Sequence, residues 1–243
     1  MVDLSVVIPA YNEADRLGPS LERALAYVER RGLDAEILVA DDGSRDRTVE
    51  IASFYADRGV RVIRLPENRG KGAAVKAGVA ASRGQRILVS DADFSTPIEE
   101  IEKLEARLPE AEVVIGSRSV PGADIVERQP FYRELMGKTF NRIIRLFWVR
   151  GLADTQCGFK LLAGEPGRAI GRELTIEGFA YDVELIWLAR RHGLRVAEVG
   201  VVWRNSAASK VHPLRAPIAM LWDLARMPAR HRARHRISRR AER

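Results

Sequence analysis

Apolar residues in the first half of the chain fall in short, nearly unbroken runs. Between the runs they recur every third or fourth position. "LSVVIPA" (Leu4–Ala10), "EILVAD" (Glu36–Asp41), "VRVIRL" (Val60–Leu65), "RILVSD" (Arg86–Asp91) and "EVVIGS" (Glu112–Ser117) are short and rich in Val and Ile, and they read as strands. Helical spacing lies between them. Leu21, Leu25 and Val28 mark a first helix, and Val49, Ile51, Ala52 and Tyr55 a second. Ala73–Ser82 is a third, and a fourth carries Ile98, Ile101, Leu104 and Leu108. Strands this continuously apolar are covered on both faces, so the alternation predicts a mainly parallel sheet with helices on both sides.

After Ser117 the alternation stops. Tyr132–Val149 reads as one helix, with Leu135, Met136, Phe140, Ile143, Ile144 and Phe147 on an apolar face and Lys138, Arg142 and Arg145 elsewhere. A second such segment carries Leu214, Ile218, Leu221 and Leu224. Each reads either as core packing or as a basic amphipathic helix lying in a membrane interface.

Composition narrows the class. The 243 residues are 46% hydrophobic and 30% charged, enough for one globular domain or one domain with an appendage. A single cysteine, Cys157, excludes an internal disulfide and makes a reducing compartment the default; it is expected to be buried and unreactive. The N-terminus meets charge too early for a signal peptide, and no apolar run reaches the roughly 20 residues of a membrane span. The net charge is +7, and the stretch from Arg226 to Arg243 holds eight arginines and one carboxylate. That stretch reads as a solubilising tail or as a contact for an anionic membrane. Nucleic acid is not expected, because no nucleic-acid motif or aromatic stacking platform accompanies the charge.

Open parallel sheets bind ligands at the carboxyl ends of their strands, so chemistry belongs in the loops that follow each run. Those loops are "PAYNEADR", "DDGSRDRT", "PENRGKGAA" and "DADFSTP". Ser44, Asp46 and Thr48 are candidate helix caps. A GxGxxG fingerprint and a P-loop are both missing where they would belong. Asp91 and Asp93 alternate at a strand end and could aim at one point. Two carboxylates that close need a cation between them, and a hard divalent ion would serve. A polar turn before Pro97 is the other reading. Asp182, in "FAYDVEL", is a helix cap or a general base.

The segments "VVIPAYNE", "DDGSRDRT", "NRGKGAAVKAG", "DAD", "GSR" and "DTQCGFK" occur in an order and at spacings that resemble inverting GT-A glycosyltransferases of family 2. "NRGKG", "DTQCGFKLL", "FAYDVELIWLA" and "SKV" look like the dolichyl- and polyprenyl-phosphate β-glucosyltransferases in particular. The resemblance runs from Leu4 to Met227. It implies an α/β, Rossmann-like GT-A fold with a C-terminal amphipathic helix and a basic tail. A nucleotide-sugar half would span 1–118, an acceptor half 119–227 and the tail 228–243. It implies transfer of a hexose, glucose from UDP-glucose first, to a lipid phosphate. A soluble saccharide acceptor or another donor such as GDP-mannose is the alternative.

The resemblance also implies residue roles. Pro9, Ala10, Tyr11, Glu13 and Asp41 would surround base and ribose, with Arg69 or Lys71 beside the uracil. Asp91, Ala92 and Asp93 would form the DXD, with Asp91 and Asp93 holding Mg²⁺ or Mn²⁺ on the diphosphate. Lys210 would close over it. Arg118 and Arg133 would stand near the acceptor phosphate or the donor diphosphate, and Gln156 at the acceptor, with "DTQCGFK" as the floor of the sugar and acceptor site. Asp182 stands where the family places its base, yet a phosphate acceptor is already ionised near pH 7 and needs none. Phe94 follows the DXD where relatives carry a small or aliphatic residue. The expected location is peripheral, on the cytoplasmic face of a membrane.

Overall fold

The computed structural model describes residues 2–126, 131–204 and 215–241, with backbone alone at 131–136, 138, 215–216 and 233–241. The five apolar runs form β1 (Leu4–Ala10), β2 (Ala35–Asp41), β3 (Val60–Arg64), β4 (Arg86–Val89) and β5 (Val113–Ser117). Between them lie α1 (Ala14–Arg31), α2 (Thr48–Phe54), α3 (Lys71–Ala81) and α4 (Ile101–Glu105). There follow β6 (Asp124–Ile125), α5 (Phe131–Phe147), β7 (Lys160–Ala163), α6 (Gly164–Glu173), α7 (Tyr181–Arg191), β8 (Val196–Gly200), β9 (Val202–Trp203) and α8 (Arg215–Ala241).

Seven strands form one sheet in the order β3-β2-β1-β4-β7-β5-β8, and β6 pairs with β9 beside it. All pairings in the large sheet are parallel except those of β7, which runs antiparallel between β4 and β5. The order reverses between β1 and β4, and the crevice of an open α/β sheet opens at such a reversal. The ends of β1 and β4 are where Tyr11–Glu13 and Asp91–Asp93 lie.

Alternation along the strands divides the core in two. Val7, Leu38, Ile87 and Val89 pack with α3, α6 and α7 on one face. Val6, Ile8, Ile37, Val39 and Leu88 pack with α1 and α4 on the other. Each fully buried side chain of this kind contributes roughly 1.5–3 kcal/mol, so both faces hold the strands in register.

The structure departs from the apolar pattern in four places. "CGFK" feeds strand β7, which the apolar pattern does not predict, because four residues sandwiched between two neighbours show no period of their own. The fourth helix is a 3-10 turn at Ile98–Glu100 and then α4, ending at Glu105 short of Leu108; Pro109 disfavours helical backbone at the residue before it. On α5, Phe140 and Ile144 are buried, but Phe147 is 69% exposed. On α8 the buried side is Met220, Leu224, Met227 and His231, and Ile218 faces outward. The docked part of α8 thus reaches His231.

Candidate active site

The loops after β1 and β2 are sewn together by side chains. The N–H of Asn12 donates to Ser44 Oγ (2.9 Å), that of Glu13 to Thr48 Oγ1 (2.7 Å) and that of Ala14 to Asp46 Oδ2 (3.1 Å). Asn12 Oδ1 accepts the N–H of Arg45 (2.9 Å). Thr48 and Asp46 therefore satisfy N–H groups at the start of α1 that no helical carbonyl reaches. Asp46 Oδ1 also accepts the N–H of Thr48 at the start of α2 (3.0 Å).

Asp41 and Asp42 divide their labour. Asp41 is wholly buried, accepting the Ser44 N–H (3.2 Å) with Arg64 Nε at 3.6 Å. Asp42 accepts the N–H groups of Arg69 (2.8 Å) and Gly70 (2.7 Å) and the side-chain amide of Asn68 (2.9 Å). It holds the loop after β3 against the loop after β2, a task the sequence reading did not assign. Gly70 sits at φ +118, and a Cβ there would lie 2.5 Å from the Glu177 carbonyl oxygen, so only glycine lets the loop after β3 meet the connection between α6 and α7. Arg69 crosses the same gap to pair with Glu177. Pro9 and Ala10 are buried within β1, while Tyr11 and Glu13 stand half-buried at its end.

The DXD is presented by a turn. Strand β4 ends at Val89, and the Phe94 N–H closes back on the Asp91 carbonyl (3.1 Å). Strand alternation thus does not aim the two carboxylates, contrary to the sequence reading. Phe94 takes a positive φ of 44°, a conformation that costs a non-glycine residue about 1–3 kcal/mol and persists where packing over-determines it. Here the ring is buried in the α1/α4 core.

Asp91 pairs with Lys71, the first residue of α3, and Asp93 with Arg16 of α1 (3.3 Å). Asp93 Oδ1 also accepts the N–H (3.0 Å) and hydroxyl (2.8 Å) of Ser95. Burial alone would raise the Asp91 carboxyl, but Lys71, Lys160 and Arg118 outweigh it and hold the group below its usual range. Ala92 is buried between the two aspartates.

Further pairs line the far wall. The Arg118 guanidinium meets Asp154 through Nε (2.7 Å) and Nη2 (3.0 Å), and its ring-side face lies 5.4 Å from the centre of Trp203. Gln156 closes the same loop with its N–H on Asp154 Oδ1 (3.2 Å). Lys160, at the start of β7, bonds the Cys157 carbonyl and the Asp182 carboxylate. Asp182 is the second residue of α7, whose cap is Ala180, so it does not cap the helix. Cys157 is buried, and burial first, with Asp154 beside it, pushes its thiol up to about 11. Lys160 ends the "DTQCGFK" segment, and a lysine behind Gly158 and Phe159 carries no local signal of the charge it will face. Arg133 lies on α5 with its side chain outside the described residues, and Lys210 lies outside them altogether.

Tyr181 stands behind these charges. Its hydroxyl is the one buried side-chain polar atom among the described residues without a hydrogen-bond partner, and Lys71 Nζ sits 5.9 Å from the ring centre. Burial and the nearby Asp182 and Asp91 carboxylates push the phenol well above its ordinary value of 10.

A divalent ion fits the DXD on chemical grounds. The donors are hard carboxylate oxygens, and the Asp91 carboxylate lies on bare backbone at Gly158, where a Cβ would come within 2.2 Å of it. Among the described residues no three His, Cys, Asp or Glu side chains are grouped to hold a metal alone. Mg²⁺ and Mn²⁺ suit such a site when substrate phosphates and water complete the shell.

The sequence profile of the family described as Glycosyl transferase family 2 matches residues 5–163. The dolichyl-phosphate beta-glucosyltransferase of Dictyostelium discoideum is 36% identical, covering 94% of this chain and 74% of its own. The human enzyme of that name is also 36% identical, covering 91% and 73%, and that of Saccharomyces cerevisiae is 32% identical, covering 91% and 72%. Among solved structures, mannosyl-3-phosphoglycerate synthase from Rubrobacter xylanophilus superposes with a TM-score of 0.64 at 22% identity, covering 97% of this chain and 75% of its own. Glucosyl-3-phosphoglycerate synthase from Mycobacterium tuberculosis, in complex with Mn²⁺, UDP and glucosyl-3-phosphoglycerate, gives 0.65 at 20% identity, covering 93% and 78%. Those structures share the GT-A-like fold. By its profile match and its curated relatives, this chain belongs to glycosyltransferase family 2.

Proposed function

We propose that the protein transfers glucose from UDP-glucose to a dolichyl-type polyprenyl phosphate with inversion at the anomeric carbon. The observation that carries this reading is the match, along nine-tenths of the chain, to curated relatives named for that lipid phosphate and that sugar. The donor lies at the carboxyl ends of β1, β2 and β4, within residues 1–118, and the acceptor over 119–227. Tyr11, Glu13 and the loop held by Asp42 face the nucleoside. Asp91 and Asp93 would hold Mg²⁺ or Mn²⁺, and the ion would supply positive charge against the negative charge of the leaving diphosphate.

The acceptor phosphate has a second pKa of about 6, so it arrives ionised and supplies its own nucleophilic oxygen. Asp182, pinned by Lys160, orients acceptor or sugar and takes no proton. Arg118, part-exposed beside Asp154, meets the acceptor's charge; the roles of Arg133 and Lys210 rest on the family resemblance alone. The Arg118–Asp154 pair keeps the guanidinium charged and aimed.

The lipid is reached from a membrane surface. Among the described residues no helix is long and apolar enough to cross a membrane. Leu146 and Phe147 on α5 and Ile218 and Trp222 on α8 are exposed. The indole N–H of Trp148 donates to the Leu224 carbonyl (3.0 Å), which fastens the two helices together. Arg142, Arg145 and Arg150 line a groove beside Leu146. Apolar side chains flanked by arginines suit an anionic interface. The unpaired, buried Cys157 suits the reducing, cytoplasmic side.

The test is UDP or GDP release from a panel of nucleotide sugars, with polyprenyl phosphate or with soluble saccharides. UDP-glucose should turn over with the lipid phosphate and not with the saccharides. Turnover with a saccharide and none with the lipid phosphate would overturn the reading.

A further inference from the structure

Each carboxylate of the DXD is paired with a cation of the chain itself. Lys71 Nζ donates to Asp91 Oδ1, and Arg16 Nη1 lies 3.3 Å from Asp93 Oδ2. The two cations come from opposite sides, α3 and α1. The remaining oxygen of Asp93, Oδ1, is taken by Ser95. A divalent ion approaching Asp91 must therefore contend with an ammonium bonded to the same carboxylate.

Lys71 is poorly placed as a permanent partner of Asp91. It occupies the first turn of α3, which contains no acidic residue, and the positive end of a helix dipole disfavours a cation there. Its flexible four-carbon stem lets the charge move, whereas the Arg118 fork is fixed by two bonds to Asp154. The Tyr181 ring centre lies 5.9 Å from the ammonium and offers it a contact besides Asp91. A diphosphate at this end of α3 would attract Lys71 more strongly than one carboxylate does.

We propose that Lys71 is a counter-cation that guards the metal site. It holds Asp91 until a diphosphate draws it away, so that the divalent ion loads together with the nucleotide and poorly without it. This rests on the DXD being the metal site.

The test measures Mn²⁺ binding to the full chain, by calorimetry and by the loss of the free Mn²⁺ resonance signal, with and without UDP. Lys71→Met should bind Mn²⁺ without nucleotide roughly tenfold or more tightly than the parent, the scale on which one neighbouring charge shifts an equilibrium at a carboxylate. Lys71→Arg, which keeps the charge, should stay near the parent. Binding linkage is reciprocal, so the gain in Mn²⁺ affinity brought by UDP should shrink in the Met variant. Adding Asp91→Asn to Lys71→Met should remove the gain, and thermal melts of all variants check the fold. If the Met variant binds Mn²⁺ without nucleotide no better than the parent, while UDP still promotes Mn²⁺ binding in both, this inference fails and the metal site stands. If no form binds Mn²⁺ even with UDP, the metal site fails and the inference with it.

Discussion

Asp182 and Lys160 form an ion pair inside the protein, with the lysine side chain 1% exposed and the aspartate 6%. The lysine comes from β7 and the aspartate from α7, so the pair fastens this antiparallel strand to the helix behind the site. Taking both charges out of water costs several kcal/mol per ion, and their attraction offsets this only when further hydrogen bonds are made. The Cys157 carbonyl supplies one to Lys160.

Removing either partner strands the other. Lys160→Met should destabilise the fold by about 3–5 kcal/mol in urea unfolding. Lys160→Met with Asp182→Leu should cost less than the sum of the two single changes, because no charge is left alone. Additive losses would show that the two groups do not interact.

The same pair bears on catalysis. General-base catalysis contributes about 10²–10⁴-fold, so a true base changed to Asn loses that much in kcat. With polyprenyl phosphate, Asp182→Asn should lose less, and the parent's pH–rate profile should follow the acceptor's second ionisation, near 6. A limb at pH 4–5 that vanishes in the Asn variant, with a loss at the upper end of the range, would make Asp182 the base.

Turnover should stop in excess EDTA and return with Mn²⁺ or Mg²⁺. Asp93→Ala should not be restored by either ion. A variant that keeps the parental rate and metal response would remove Asp93 from the metal site.

His231 carries a fold contact into the basic segment. Its Nε2 lies 2.7 Å from Glu184 Oε1, both side chains are buried, and Trp187 flanks the imidazole with ring centres 5.3 Å apart. Glu184 also accepts the N–H groups of Thr175 (3.0 Å) and Ile176 (2.8 Å). Burial would raise the Glu184 carboxyl, but these hydrogen bonds outweigh it and hold the group below its ordinary 4.5. A carboxyl lowered on folding stabilises above its unfolded value and loses that contribution as pH falls through the folded one. Acid unfolding below about pH 4.5 should therefore be shallower in Glu184→Gln than in the parent. An identical acid limb would count against the assignment.

That contact decides where the tail is cut in a membrane test. A chain ending at 232 keeps His231 and should melt like the parent while binding anionic vesicles more weakly, with a deficit that shrinks as salt rises. A chain ending at 227 should also melt lower. Equal vesicle binding by the chain ending at 232 would exclude the last arginines from the interface.

Local pattern alone determined the strands β1 to β5, the helices between them, and the placing of Asp91 and Asp93 at a strand end. Burial on both faces of a sheet requires short, continuously apolar runs, and that requirement is written residue by residue. The order of motifs likewise carried the family. Which charge meets which was decided only by the tertiary structure. Lys71 and Asp91 are 20 residues apart, Lys160 and Asp182 22, Arg118 and Asp154 36, and Arg16 and Asp93 77. Such pairs depend on strand order, and above all on β7 entering antiparallel between β4 and β5. Coulomb attraction acts through space, so a charge leaves no period along the chain to show what it will face.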